Sequence, residues 1–192
     1  MDNLEDKDEE KEKTSKRTIK DSVFGDMFAN EENRKYLVQL YKTLHPADSN
    51  VTEADINNVT IRNVMVNDIY NDLGFIVRGK MIILCEAQST WSPNIVYRLL
   101  SYLVDSYSNY IYDNGLNVYG SKAIELPAPE LYVIYTGDKV VPDTISMKEA
   151  NFPSSDWKFD IEAKVIRNQD KSNIIGQYII FCKVFHGDIC SR

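Results

Sequence analysis

Long apolar runs are missing from this 192-residue chain. Nowhere do the roughly 18 consecutive apolar residues of a membrane-spanning helix occur, and the first residues are charged where a secretory leader would be greasy. A cytoplasmic location without a membrane partner is therefore expected. Cysteine is scarce as well. Cys85, Cys182 and Cys190 form no C-x-x-C pair, so neither a disulfide framework nor a zinc site is supported. The two histidines, His45 and His186, stand apart in sequence and offer no Ser/His or Cys/His arrangement for nucleophilic catalysis. Glycine is scattered, and neither G-x-x-x-x-G-K-[ST] nor G-x-G-x-x-G occurs, which removes the common nucleotide-phosphate cradles. Positive charge is the last shortage: 22 Lys and Arg face 29 Asp and Glu, a net charge of -7 that argues against a broad basic platform for nucleic acid.

What is present is the composition of an ordinary globular protein, 43% hydrophobic and 27% charged, at a length that suits one well-cored domain. Residues 1–17 are dense in mixed charge and nearly devoid of apolar side chains, so a disordered tail is expected there, followed by a domain over 18–192. Val23, Phe24, Met27 and Phe28, then Tyr36, Leu37, Leu40, Tyr41 and Leu44, recur at helical spacing and predict a helical pair broken near Ala29-Asn30 and ended at His45-Pro46. Val59, Ile61, Val64 and Val66 suggest a first strand. Ser92-Pro93 reads as a helix start, with Ser92 as N-cap and Pro93 at the first helical position. The apolar face of that helix runs from Ile95 to Ile111, most of its tyrosines are expected in the core, and Gly115 suits its C-terminal cap. A strand is predicted at Leu131 to Tyr135, another over Trp157 to Ile166, and a helix over Asn173 to Phe185. Helices, strands, a helix and a strand in that order define a mixed α/β layer rather than a bundle or a sandwich.

Between the first strand and the Ser92 helix lies the most telling segment. Asn71 to Gln88 reads as two apolar strands around a turn at Arg78-Gly79-Lys80, with an acid near the far end of each arm. If the loop is the odd-length Arg78-Gly79-Lys80, Asp72 lies opposite Glu86 and the acids share a face with Gly74, Ile76, Ile82 and Leu84. Leu73, Phe75, Val77, Met81, Ile83, Cys85 and Ala87 then line the other face, as in a central strand pair covered on both sides. A two-residue turn would send the acids to opposite faces instead. Two carboxylates in contact repel by roughly 3 to 4 kcal/mol at an effective dielectric near 20, and a divalent cation reverses that sign.

Asp72, then Glu86-Ala87-Gln88, then Ser89 to Arg98 opening a helix, resembles the recombination-promoting nuclease (Rpn) and transposase family of the PD-(D/E)XK superfamily. Softer support comes from Asp21-Ser22-Val23-Phe24, Tyr132 to Gly137, and Gln177-Tyr178 with Phe181. The resemblance implies a restriction-endonuclease-like mixed β-sheet flanked by α-helices and Mg²⁺-dependent cleavage of DNA phosphodiesters, with Mn²⁺ as a substitute. It implies Asp72, Glu86 and the Ala87 carbonyl as metal ligands, Gln88 at the place of the motif lysine, and Asp21 as a further acid on the first helix. DNA is the implied partner, and a homodimer is among the expected assemblies. Hard Mg²⁺ prefers oxygen ligands, and the metal neutralises phosphate itself, so only a local basic strip is needed. Glutamine at position 88 lacks the charge of a lysine. Arg98, on a polar stripe with Asn94, Ser101 and Asp105, is a candidate to supply it from the neighbouring helix. Relatives often carry a longer C-terminal region, so the chain is either a short or a truncated member.

Plainer roles stand beside these. Asp21 before an apolar helical run is most simply an N-cap, Asp68 and Asp105 are solvated acids, and Arg98 is equally an ordinary surface residue. A non-catalytic binding module that keeps the fold is the rival to the nuclease.

Overall fold

The computed structural model describes residues 23–59, 72–87, 91–154, 156 and 158–190, with side chains described except at 26, 29, 31, 58, 59, 85–87 and 185–190. The expected tail at 1–17, the Ile61, Val64 and Val66 positions of the first predicted strand, Asp68 and Trp157 lie outside the described residues.

Six strands form one mixed sheet in the order β1-β2-β3-β4-β6-β5: β1 (Ile56–Val59), β2 (Asp72–Val77), β3 (Lys80–Ala87), β4 (Ala128–Tyr135), β5 (Thr144–Ser146) and β6 (Glu162–Ile166). The first three run antiparallel as a meander. β4 is parallel to β3, β6 is parallel to β4, and β5 returns antiparallel along β6. Four α-helices are described: α1 (Arg34–Leu44), α2 (Ile95–Asp113), α3 (Met147–Asn151) and α4 (Ile174–Cys190). This is an α/β architecture, as the order of sequence patterns requires.

The helices cover both faces of the sheet. On one face Leu37, Leu40 and Tyr41 of α1 and Ile175, Tyr178 and Ile179 of α4 pack on Phe75, Leu84 and Ile134. Phe24 and Phe28 join them edge-on, with ring centroids 5.2 Å apart and Phe24 5.4 Å from Tyr178. On the other face Val96, Leu99 and Leu103 of α2 cover Met81, Ile83 and Val133. Each fully buried side chain of this size contributes about 1.5–3 kcal/mol, so the two-sided core rather than helix propensity holds the layers.

Local chemistry sets the element ends. The N-terminal segment is a π-helical turn, Gly25–Ala29, broken at Asn30, whose side chain accepts from the Glu32 amide at 3.0 Å before α1 begins. α1 stops at His45, ahead of Pro46, where the sequence places the break. α2 starts two residues later than expected: Asn94 is its N-cap, and Ser92-Pro93 form the turn that leads in, with Ser92 Oγ accepting from the Asn94 amide at 3.3 Å. Its end matches expectation, since Gly115 has φ 61° while Leu116 N–H bonds to the Ile111 carbonyl and Gly115 N–H to that of Tyr112. The tyrosines of α2 divide. Tyr102, Tyr107 and Tyr110 pack against the core, whereas Tyr97 and Tyr112 are exposed, and so is Val104.

Candidate active site around Asp72

The β2–β3 hairpin decides what Asp72 faces. Arg78 and Gly79 have φ values of 48° and 75°, so a two-residue turn closes the hairpin, and Val77 pairs with Lys80. Asp72 consequently pairs with Cys85 and not with Glu86. That one-residue difference corrects the expected register: Leu73, Phe75, Val77, Ile82 and Leu84 line the face under α1 and α4, and Met81 and Ile83 line the face under α2. In a regular ladder it also puts positions 72 and 86 in opposite phase, although the Glu86 side chain is outside those described.

Asp72 heads β2 on the α2 side. The apolar stripe of α2 rests on β3, which turns the polar edge carrying Arg98 and, one turn later, Tyr102 toward that strand end. Arg98 Nη2 donates to Asp72 Oδ2 at 2.7 Å; the carboxylate side chain is 11% exposed and the arginine 46%. Asp72 Oδ1 is buried without a hydrogen-bond partner. Burial first, and then the neighbouring Asp72 carboxylate, push the Tyr102 phenol up to about 12. The Tyr102 hydroxyl is thus close enough to feel the carboxylate while Oδ1 keeps no bond of hydrogen-bonding geometry.

Of the residues singled out in the sequence, Asp72 and Arg98 meet. Glu86 and Ala87 lie in β3 at the same end of the sheet, paired with Ile134 and Tyr135 of β4. Gln88 and Asp21 are outside the described residues. Tyr102 is a neighbour of Asp72 that sequence reasoning misses; its spacing of four from Arg98 is the signal that marks it. Among the described residues, no three His, Cys, Asp or Glu side chains group closely enough to hold a metal ion, and no helix is long and apolar enough to cross a membrane.

A second polar cluster sits at the turn end of the hairpin, on the opposite face. His45 Nε2 lies 2.6 Å from Glu130 Oε2, which also accepts from the Tyr132 hydroxyl at 2.8 Å, while Lys80 Nζ is 2.8 Å from Oε1. Burial alone would raise the Glu130 carboxyl, but the bonds from Lys80, Tyr132 and His45 outweigh it and hold the group below its ordinary value. Next to it Arg78 Nη1 bonds to Asp48 and Asn50, each at 2.7 Å, and the Tyr41 hydroxyl donates to Asp48 at 2.9 Å. His45, isolated in the sequence, is therefore a fixed tie between the end of α1 and β4. These groups saturate one another. Among the described residues, the buried carboxylate oxygen left without a partner is Asp72 Oδ1.

The chain gives no significant match to protein-family models, to curated proteins or to solved structures.

Proposed function

We propose that the chain is a metal-dependent DNA endonuclease built on a restriction-endonuclease-like core, with its site at the head of β2. The observation that carries this reading is Asp72: a nearly buried acid at a sheet end, with one oxygen uncommitted and a cationic side chain beside it. The element order agrees with it, an antiparallel meander followed by a helix and a strand parallel to β3. So does the resemblance of the Asp72 to Arg98 segment to the recombination-promoting nuclease and transposase family.

The free Asp72 Oδ1 fits a hard cation; the family resemblance adds Glu86 and the Ala87 carbonyl as its co-ligands, which requires the end of β3 to depart from the regular ladder that sets 86 in opposite phase to 72. Mg²⁺ there would supply Lewis acidity and a water of lowered pKa. The chain's own groups do the remaining work in this reading. Arg98 holds Asp72 in place and offers positive charge to a phosphate, and Gln88 orients water or phosphate by neutral hydrogen bonds.

Two features favour the rival, a non-catalytic binding module: Asp72 is already ion-paired to Arg98, and its ladder partner is Cys85. A plasmid-cleavage assay with Mg²⁺ or Mn²⁺ separates the readings. The nuclease nicks or linearises the plasmid, and Asp72→Ala and Glu86→Gln abolish cleavage together with the metal-induced rise in melting temperature. Absence of cleavage with either metal, or equal metal responses in both variants and wild type, selects the binding module.

A further inference from the structure

The helical layer of α1 and α4 covers the sheet only as far as β4. Of the residues buried beneath it none belongs to β5, and β6 contributes only the half-buried Ile166. From Tyr132 on β4, at that boundary, Lys164 and Thr144 follow as neighbours across the next two strands. This row floors a cleft of about 730 Å³, walled by Leu44 at the end of α1, by Arg167 and by the first turn of α4. A volume of this size accepts a small organic molecule.

The charges of the cleft are unevenly committed. Arg167 is fixed by two bonds, one to the Val141 carbonyl and one to Asp143, both at 2.6 Å. The Lys164 ammonium has no ion pair or hydrogen bond among the described residues. In a chain of net charge -7, an uncommitted cation at the floor of a concavity draws an anion there. The wall beside it is preorganised. Asn173 Oδ1 accepts from the Gly176 amide at 2.9 Å and Gln177 Nε2 donates to the Lys171 carbonyl at 3.0 Å. Gly176 also lies so close to the Asp170 backbone that any Cβ would collide with it. The amino end of α4 adds favourable partial charge; the carboxyl end of α1 opposes it and carries Lys42 in its last turn.

We propose that this cleft binds a small organic anion, a phosphate or carboxylate head on Lys164 with an apolar body against the half-buried Leu44 and Ile166. It lies on the opposite face of the sheet from Asp72 and does not depend on the nuclease reading.

The test is a titration of the full chain with phenyl phosphate, benzoate and inorganic phosphate, followed by calorimetry and amide chemical shifts. At least one of the two aromatic anions should bind and shift the amides around 144, 164 and 173–176. Inorganic phosphate, which lacks the apolar body, should bind about tenfold more weakly. Lys164→Met keeps the aliphatic stem and should weaken the aromatic anion by about tenfold, while Lys122→Met, outside the cleft, changes nothing. No binding by either aromatic anion, shifts mapping elsewhere, inorganic phosphate binding as tightly, or an unaffected Lys164→Met would each overturn the proposal. Should Lys164→Met lose the fold, Lys164→Gln and the wild-type shift map decide in the same way.

Discussion

A carboxylate nearly sealed from water and bonded through one oxygen only is costly to bury, and Asp72 is held in that state by Arg98. Removing the arginine leaves the acid with neither partner nor full hydration. For a fully buried pair that loss is roughly 3–5 kcal/mol, but the half-exposed Arg98 admits water in its place, so Arg98→Ala should lower the unfolding free energy by about 1–2 kcal/mol. Asp72→Asn removes the charge and preserves the shape, so it should cost less than Arg98→Ala. Urea unfolding of both variants and of the double mutant measures the order and the coupling. If Arg98→Ala is as stable as wild type, the pair contributes nothing and the arginine is a surface residue after all. Cleavage follows a different order under the nuclease reading: Asp72→Asn is inactive though well folded, which separates a catalytic acid from a structural one.

The β2–β3 hairpin shows how one residue in a turn governs a whole element. Gly79 takes a left-handed conformation with open space where a Cβ would lie, so Gly79→Ala meets no clash, only the backbone penalty of roughly 1–2 kcal/mol. Chemical denaturation should show that loss. A variant as stable as wild type would mean that the turn can change type without cost. Arg78 shares the left-handed conformation, and its bonds to Asp48, Asn50 and Asp55 offset the strain. This is why the register was not legible in the sequence: a non-glycine in the first turn position hides a two-residue turn, and the odd loop moves every partner by one. Long periodic elements were legible, namely α1, α2, α4 and β4, because their apolar stripes match the faces they bury. β5 and α3, at three and five residues, are too short to show a period. The start of α3 carried only the Ser146 cap, which accepts from the Glu149 amide at 3.2 Å. Within the candidate site Asp72 was legible as an acid at the far end of a hairpin arm and Arg98 from the polar edge of α2, whereas Tyr102 was hidden by a spacing that equally fits the core. His45 and Glu130 meet across 85 positions, a separation over which no local pattern carries information.

Across the whole molecule, a half-buried carboxyl and two buried phenols tie α1, the hairpin turn and β4 together, and they lose their contribution at opposite ends of the pH scale. Glu130 is held below its ordinary value of 4.5, so the unfolded chain takes up its proton first as pH falls. Its contribution is complete above that ordinary value and is lost as pH drops through the lower folded value. Tyr41 behaves in the reverse sense. Burial, and then its bond to Asp48, raise the phenol from 10.0 to about 12, and burial followed by the bond to Glu130 raises Tyr132 as well. For both phenols the contribution is complete below the unfolded value of 10.0 and disappears as pH climbs toward the folded value. Stability should therefore be level through the neutral range and decline on both sides. Equilibrium unfolding across pH, repeated on single variants, assigns each limb: Glu130→Gln should flatten part of the acid limb, and Tyr41→Phe part of the alkaline one. Because Tyr132 donates to Glu130, Tyr132→Phe should change both limbs, weakening the acid dependence by removing one of the bonds that lower the carboxyl. Tyr132→Phe confined to the alkaline limb would show that Lys80 and His45 alone hold Glu130 low, and that the phenol and the carboxyl, though 2.8 Å apart, titrate independently.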